Sequence, residues 1–252
     1  MLYNYYNINI IILLYYNHKM KKIKSDNDQQ RQNLYFEKTF WRQGFDWVIG
    51  VDEAGRGPLA GPVVAGAFSF FCRSPQTKNF LYLLSQANDS KKISSSKRFE
   101  LYQIITGSKI FLSASAAVGP KIIDQINIFA AAKLAMRRAA KKVICSIYKN
   151  DSKAKIHLII DGNFSIGGNF SQTSVITGDH KVFSVACASI IAKTARDKIM
   201  ARYNKIYQGW NFIQHKGYPT AQHRAAICKI GLSPIHRRSF SFNFHLNPST
   251  KP

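Results

Sequence analysis

Two apolar runs on either side of a glycine-rich turn are the feature that most limits what this chain can fold into. The first run, DWVIGVD, occupies residues 46–52, and the second, GPVVAGAFSFF, occupies residues 61–71. Short apolar runs bounded by glycine and proline are typical of buried strands. We therefore predict two buried strands joined by a turn at 55–61, with the first strand ending at the adjacent acids Asp52 and Glu53.

The rest of the chain alternates between loop-like, strand-like and helix-like patterns. Residues 73–95 are polar and predict a loop, whereas the segment after Pro120 repeats apolar residues every three or four positions, as a helix does. The remaining predicted strands are 109–119, KIHLIIDGN (155–163) and TSVITGD (173–179), and the predicted helices are 96–106 with caps at Ser94–Ser96, 120–148 and 185–207, followed by short helices and basic loops. This order predicts an α/β fold in which helices flank a mixed sheet.

The charge of the chain points to a polyanionic partner. Among 252 residues, 36 Lys and Arg oppose 13 Asp and Glu, and the formal net charge is +23. The hydrophobic content of 46% suits one large domain with a sizeable core. A positive field of this size attracts nucleic acid. The alternative is a lysine-rich composition inherited from an AT-rich genome, so charge favours a nucleic-acid partner without establishing one.

The N-terminal segment and the cysteines bear on domain organisation and location. Residues 1–33 are left out of the fold, because their apolar stretch is too short to span a bilayer and carries no secretory signal. We expect this extension to be disordered or to reflect a mis-assigned start with Met20 as initiator; a weak interfacial anchor is the alternative. The four cysteines are widely separated and match no zinc motif, which predicts a reduced, cytoplasmic protein without disulfides. We also expect no membrane partner. The predicted catalytic domain is 34–245, and 246–252 is a tail.

Acids are scarce in this chain, so their placement is informative. Asp52 and Glu53 end one predicted strand, Asp161 ends another, and Asp197 lies on an otherwise apolar or basic helix. Carboxylates that converge at strand ends repel each other, and bridging cations relieve that repulsion. Hard oxygen ligands suit Mg²⁺ or Mn²⁺, and two such ions roughly 3.5–4 Å apart support in-line phosphodiester hydrolysis. The alternative is that Asp161 is an ordinary turn residue and Asp197 a helix-surface acid.

Candidate substrate contacts lie next to these acids and near the C-terminus. Gly55, Arg56 and Gly57 follow the acid pair after one residue, and such a loop lets the backbone approach a ligand closely while the arginine reaches a phosphate. A ribose 2′-OH is a group that this backbone could read. Tyr218, beside a glycine and a proline, is suited to stacking. Further candidate phosphate contacts are Lys91, Lys92, Lys216, Arg237 and Arg238. The alternatives are a tight turn, a core-packed tyrosine and solvated basic loops.

Six sequence blocks together resemble ribonuclease HII, the prokaryotic type 2 ribonuclease H. They occur in the family's order across about residues 47–240 and read GVDEAGRGPLAGPVV, NDSKK, LIIDGN, ASIIAKTARD, QHKGYPT and HRRSF. The resemblance implies a ribonuclease H-like, five-stranded mixed sheet with a helical C-terminal substrate-binding extension. It also implies an endonuclease that cuts the RNA strand of RNA–DNA hybrids and cuts 5′ of single ribonucleotides in duplex DNA. The products would carry 5′-phosphate and 3′-hydroxyl ends.

The resemblance also assigns roles to individual residues. It implies metal binding by Asp52, Glu53, Asp161 and Asp197, recognition of the 2′-OH by Gly55, Arg56 and Gly57, and stacking of Tyr218 on the deoxyribose that follows the ribonucleotide. The related ribonuclease HIII typically has lysine between the two glycines, so Arg56 favours HII. The tail SFNFHLNPSTKP shows no clear sliding-clamp motif, so we expect no clamp contact, and we expect a monomer.

Two other classes of protein remain as alternatives. The first is a basic nucleic-acid-binding protein without catalytic activity on the same fold. The second is another nuclease of the ribonuclease H fold, such as a resolvase or a transposase. Four acids in a phosphate-facing site argue against the first class, and the glycine–arginine–glycine beside those acids argues against the second.

Overall fold

A mixed five-stranded sheet forms the centre of the protein. The structure is a computed structural model that describes residues 34–71, 77–87 and 93–241. The strands are β1 (Trp47–Ala54), β2 (Val63–Phe71), β3 (Phe111–Val118), β4 (Ile156–Asp161) and β5 (Ser171–Val175). Their order in the sheet is β3-β2-β1-β4-β5. Strand β2 pairs antiparallel with both β1 and β3, whereas β4 pairs parallel with β1 and β5 pairs parallel with β4. The predicted mixed sheet is therefore confirmed.

Helices cover both faces of this sheet. In the described part of the chain they are α1 (Tyr35–Arg42), α2 (Lys78–Gln86), α3 (Ser95–Gly107), α4 (Pro120–Asn150), α5 (Gly178–Lys181), α6 (Phe183–Ile206), α7 (Phe212–His215) and α8 (Ala221–Ile230). The alanine-rich face of α4 packs on one side of the sheet, and α6 packs on the other. Among the described residues, no helix is long and apolar enough to cross a membrane.

The central strand β1 continues beyond the point that the sequence predicted. We expected it to end at Asp52 and Glu53, and its pairing with β2 continues one residue further, to Ala54. Pairing persists because the turn begins only at Gly55, whose φ of +95° takes the backbone out of the extended conformation. Both acids are therefore held by the ladder of a central strand, which fixes their backbone more firmly than a loop would.

Helix α6 approaches the sheet at two glycines. A Cβ added at Gly66 of β2 would lie 2.2 Å from the carbonyl oxygen of Ala188, and one at Gly50 of β1 would lie 2.1 Å from the carbonyl carbon of Ser184. Such distances exclude any side chain at either position, so backbone packs directly on backbone. This close contact brings the side chains of α6 to the edge of the sheet where β1 ends.

Several local predictions were wrong or incomplete. Residues 73–95 were expected to form a loop but include α2, whose N-cap Thr77 accepts a hydrogen bond from the Phe80 amide and whose Phe80 and Leu83 are buried. The polar composition of the segment hid these two core positions. The fifth strand lies at Ser171–Val175, earlier than the predicted 173–179.

The long helix α4 matches its prediction in extent but contains a kink. Asn127 has φ 63° and ψ 166°, and its Oδ1 accepts a hydrogen bond from the Ala130 amide at 3.0 Å. That contact is the N-cap geometry of a new helix, so two helical segments are joined at Asn127. Cys145, Cys187 and Cys228 are free thiols, in agreement with a protein that uses no disulfide at these positions, while Cys72 lies outside the described residues.

His157 of β4 is a buried polar residue that makes the sheet sensitive to pH. Its ring stacks on Phe40 of α1 with centroids 3.7 Å apart, and its two ring nitrogens lie 2.8 Å from Ser171 Oγ and 3.0 Å from Thr173 Oγ1. Burial lowers the pKa of His157 to about 4. In an unfolded chain, the pKa of a histidine is about 6.5.

Between about pH 6.5 and 4, His157 should therefore bind a proton in the unfolded state but not in the folded state. Its contribution to stability falls as the pH drops through that window. We expect the urea midpoint of His157→Asn to depend less steeply on pH there than the midpoint of the unmodified protein. Identical slopes in the two proteins would contradict the role of His157.

Candidate active site

The four predicted carboxylates lie at the edge of the sheet where β1 and β4 end. The parallel register pairs Val51 with Ile160, so the residues that follow, Asp52 and Asp161, are neighbours across the two strands. Glu53 is next along β1, and Asp197 lies on α6. The parallel pairing of β1 and β4 is what brings acids more than a hundred residues apart in sequence to the same edge.

Asp52 is the most buried of these acids, with 5% of its surface exposed. Its Oδ1 accepts a hydrogen bond from the Glu53 amide at 2.7 Å, and its side chain also accepts one from Ser189 of α6. Burial raises the pKa of Asp52 well above its usual value, and the neighbouring charges of Glu53 and Asp161 raise it further. The site is therefore short of positive charge even though the chain as a whole is strongly basic.

The other β-strand acids are also held in place. Asp161 Oδ1 accepts a hydrogen bond from the Gly178 amide of α5 at 2.7 Å. Glu53 Oε1 lies 3.4 Å from Arg56 Nη1, whereas its Oε2 is buried without a hydrogen-bond partner. Burial raises the pKa of Glu53, although the nearby Arg56 opposes that rise. The buried and unpartnered Oε2 is an atom that would gain most from a cation.

Asp197 pairs with a residue that the sequence did not single out. Arg98 of α3 donates from Nη2 to Asp197 Oδ2 at 3.0 Å. The Arg98 side chain is 17% exposed and the Asp197 side chain 33% exposed, so this pair is partly shielded from water. The sequence motif around Arg98, SSSKRFE, carries no signal beyond a helix N-terminus, because the partner is on α6 about a hundred residues away.

These carboxylates fit a divalent cation by their chemistry. Within the described residues, no three His, Cys, Asp or Glu side chains converge closely enough to chelate an ion. Two of the four carboxylates instead contact arginines, Glu53 with Arg56 and Asp197 with Arg98. The raised pKa of Asp52 and the unpartnered Oε2 of Glu53 both indicate that a cation would relieve local repulsion. An all-oxygen donor set suits Mg²⁺ or Mn²⁺.

The glycine–arginine–glycine loop is held from behind by Arg237. This guanidinium donates to the carbonyl oxygens of Gly55 at 2.6 Å, Arg56 at 2.8 Å and Gly61 at 2.9 Å. Burial lowers the pKa of Arg237 to about 9, which still leaves it charged at neutral pH. We expected Arg237 on a surface basic patch, but it is fully buried, so any effect on substrate passes through the loop that it holds.

Arg196 joins the same loop to the turn that carries Tyr218. It donates from Nε to the Pro62 carbonyl at 3.1 Å and from Nη2 to the Lys216 carbonyl at 2.8 Å and the Ala60 carbonyl at 3.3 Å. A Cβ at Gly55 would lie 2.1 Å from Arg196 Nε, so this contact requires glycine. Sequence reasoning missed Arg196, since one basic residue on a basic helix gives no sign of burial.

Tyr218 is placed next to the loop and remains accessible. It is 46% exposed, and its ring centroid is 5.6 Å from the Arg196 guanidinium carbon. A Cβ at Gly57 would lie 3.9 Å from Tyr218 Cε1, which places the tyrosine directly beside the loop. The exposed ring and the loop therefore share one surface.

The remaining residues that the sequence predicted to contact phosphate differ in their surroundings. Lys216 Nζ donates to the Ile213 carbonyl at 2.7 Å, so its ammonium group caps the short helix α7. Arg238 is exposed. Lys91 and Lys92 lie outside the described residues.

Carboxylates at one edge of a mixed sheet flanked by helices define a class of protein by its architecture, the ribonuclease H fold. Structural likeness shows this fold. The ribonuclease H2 from Pyrococcus horikoshii OT3 matches with a TM-score of 0.55 and 23% identity, over 78% of this chain and 94% of that one. Bst ribonuclease HIII, solved in complex with Mn²⁺, matches with a TM-score of 0.60 and 18% identity, over 80% of this chain and 69% of that one.

Sequence similarity narrows the class to a family. The family model for ribonuclease HII matches residues 49–243. Ribonuclease HII of Leuconostoc citreum (strain KM20) is 41% identical over 83% of this chain and 74% of its own length, and that of Acholeplasma laidlawii (strain PG-8A) is 41% identical over 83% and 94%. The chain therefore belongs to the ribonuclease HII family. It is a metal-dependent endoribonuclease of the ribonuclease H type.

The role of Arg237 can be tested by stability. Arg237→Met removes three donors from buried carbonyls, and we expect the free energy of unfolding to fall by about 2–5 kcal/mol. Arg238→Met, at the neighbouring exposed position, is the matched control and should change stability by less than about 0.5 kcal/mol. The free energies of unfolding of both variants and of the unmodified protein are measured by urea unfolding. Equal effects at the two positions would show that Arg237 does not support the loop.

Proposed function

We propose that this ribonuclease cuts the RNA strand of RNA–DNA hybrids and also cuts 5′ of single ribonucleotides embedded in duplex DNA. The products carry 5′-phosphate and 3′-hydroxyl ends. One observation carries the proposal: the Gly55–Gly57 loop follows Asp52 and Glu53 after the single residue Ala54 and adjoins the exposed ring of Tyr218. The loop that would read the sugar is therefore close to two of the carboxylates along β1, and the ring that would stack on the neighbouring sugar lies beside that loop.

The chemistry in this proposal uses two divalent ions, Mg²⁺ or Mn²⁺, held by Asp52, Glu53, Asp161 and Asp197. When bound, such ions activate the attacking water and stabilise the leaving oxygen. The chain fixes two of its ligands in advance, because Ser189 orients Asp52 and the Gly178 amide orients Asp161. Arg98 donates to Oδ2 of Asp197, and Oδ1 of the same carboxylate would then hold the ion.

Recognition of the ribonucleotide is assigned to the loop backbone. The carbonyl oxygens of Gly55 and Arg56 each accept a hydrogen bond from Arg237 and keep a second lone pair. A ribose 2′-OH can donate to such a fixed carbonyl and accept from a neighbouring amide, whereas deoxyribose can do neither. Arg237 thus sets the position of the acceptors that distinguish the two sugars. The basic surface of the chain supplies the remaining, sequence-independent attraction to phosphate.

The proposal also covers the partners and the location of the protein. The structure of a PCNA:RNase HII complex from Archaeoglobus fulgidus has the same fold, with a TM-score of 0.56 and 23% identity over 77% of this chain and 95% of that one. The tail of the present chain lies outside the described residues, so the absence of clamp contact stays a prediction. A monomeric state and a cytoplasmic location also stay predictions, as do the N-terminal extension at 1–33 and the domain limits 34–245.

The substrate assignment is tested with a duplex that contains one ribonucleotide. With Mg²⁺ or Mn²⁺ we expect a single cut on the 5′ side of that ribonucleotide and no cut in an all-DNA duplex of the same sequence. Asp52→Asn and Asp161→Asn should abolish cutting while duplex binding persists, and Asp151→Asn, an exposed acid at the end of α4, should leave cutting intact. Cutting of the all-DNA duplex would reject the substrate assignment, and full activity in Asp52→Asn would reject the metal site.

The role of Tyr218 is tested separately. Tyr218→Ala should reduce cleavage at a single embedded ribonucleotide by roughly tenfold or more, because aromatic stacking on nucleic acid contributes about 1–3 kcal/mol. Affinity for the same duplex should fall by a smaller factor, since phosphate contacts dominate it. Rates are measured by single-turnover cleavage, and affinity by fluorescence anisotropy without divalent metal. An equal loss in both would indicate a general binding role.

A further inference from the structure

Three buried histidines lie behind the turn that carries Tyr218. His215, His223 and His236 are 7%, 0% and 2% exposed. The rings of His215 and His223 are stacked, with centroids 4.1 Å apart and planes inclined by 17°. His223 Nε2 lies 3.1 Å from His236 Nε2, and Phe212 packs against all three rings. We call this group the histidine cluster.

The proton positions in the cluster follow from its two ends. His223 Nδ1 lies 2.9 Å from the Tyr218 carbonyl oxygen, which can only accept, so Nδ1 carries the proton and Nε2 offers a lone pair. At the other end, the Ser233 amide donates to His236 Nδ1 at 2.8 Å, so the proton of a neutral His236 is on Nε2. The two independent assignments agree where the rings meet, because His236 Nε2 donates to His223 Nε2.

The cluster therefore forms a directed chain of hydrogen bonds from Ser233 to the Tyr218 carbonyl. His215 supports the same turn, since its Nδ1 accepts from the Gly217 amide at 3.1 Å and its Nε2 donates to the Trp210 carbonyl at 2.7 Å. The histidines thus fix both the amide of Gly217 and the carbonyl of Tyr218. The three bonds in which a ring nitrogen accepts, at His215 Nδ1, His223 Nε2 and His236 Nδ1, require neutral rings.

The surroundings favour the neutral state. Burial lowers the pKa of His223 and of His236 to about 4. A charge on His215 would lower the pKa of both residues further, a charge on His236 would lower that of His223, and Arg238 lowers that of His236. A proton on His223 Nε2 would face the proton on His236 Nε2 and break the chain at that contact. At neutral pH the chain is intact.

We propose that His223 and His236 are positioning residues for Tyr218: their hydrogen-bond chain holds the Tyr218 backbone so that its ring stays beside Gly57. This proposal rests on the proposed function, in which Tyr218 contacts the substrate sugar. Packing alone would need only rings of this size, whereas positioning needs a donor at the Nδ1 site of His223 and a donor at the Nε2 site of His236. The two requirements differ, and that difference can be tested.

Asparagine and glutamine separate the two nitrogen positions, because the asparagine amide reaches the Nδ1 site and the glutamine amide reaches the Nε2 site. At position 223, His223→Asn keeps the donor to the Tyr218 carbonyl and His223→Gln removes it. At position 236 the preference reverses, since His236→Gln keeps the donor to residue 223 and His236→Asn removes it. We expect the preferred amide at each position to retain single-ribonucleotide cleavage within about threefold, and the other amide to lose about tenfold.

The measurement is single-turnover cleavage of a duplex with one ribonucleotide and of a long RNA–DNA hybrid, together with urea unfolding of all four variants. The loss should be larger for the single ribonucleotide, where Tyr218 stacks on deoxyribose. If both amides at a position lose activity equally, or if activity follows unfolding stability and not the amide, the cluster only packs the core and the inference is wrong. Failure of the unmodified protein to cut at the single ribonucleotide would reject the proposed function instead.

Discussion

Two buried guanidinium groups hold the functional surface together. Arg196 and Arg237 each donate three hydrogen bonds to backbone carbonyls, and the acceptors lie between Gly55 and Pro62 and at Lys216. These segments are turns, whose carbonyls have no regular ladder to pair with, and a planar group with five donors can tie several of them at once. Because β1 ends directly before these turns, the same contacts position the loop relative to the carboxylates.

A second constraint is the opposition between local and overall charge. The chain carries a net charge of +23, yet Asp52, Glu53 and Asp161 lie close enough at one sheet edge to raise the pKa of Asp52. The positive field draws a polyanion to the surface, and that polyanion alone would be repelled by the acidic edge. Divalent cations held by these carboxylates would relieve this repulsion. Arg56 and Arg98 contribute some of the same neutralisation from within the chain.

Sequence reasoning was most successful where a pattern is local. Four of the five strands were predicted in place from their apolar residues and bounding turns, the fifth was placed too far along the chain, and the acids stood out because acids are rare. It failed where burial depends on distant residues. Helix α2 was hidden by polar neighbours of Phe80 and Leu83, and Arg237 was expected on the surface because nothing in HRRSF distinguishes it from Arg238. The partner of Arg98 is on a helix about a hundred residues away, so no local pattern reveals it.

The sequence by itself determined the family and most of the strands, and it singled out four acids as candidates, since each of these depends on residue type and spacing along the chain. Only the tertiary structure decided which basic residues face the solvent, which hold loops, and which neutralise carboxylates. It also brought the histidine cluster to the back of the Tyr218 turn, although His215 lies on α7, His223 on α8 and His236 in the segment after α8. The reason is physical: a side chain's charge, protonation and exposure are set by its neighbours in space, and packing chooses those neighbours.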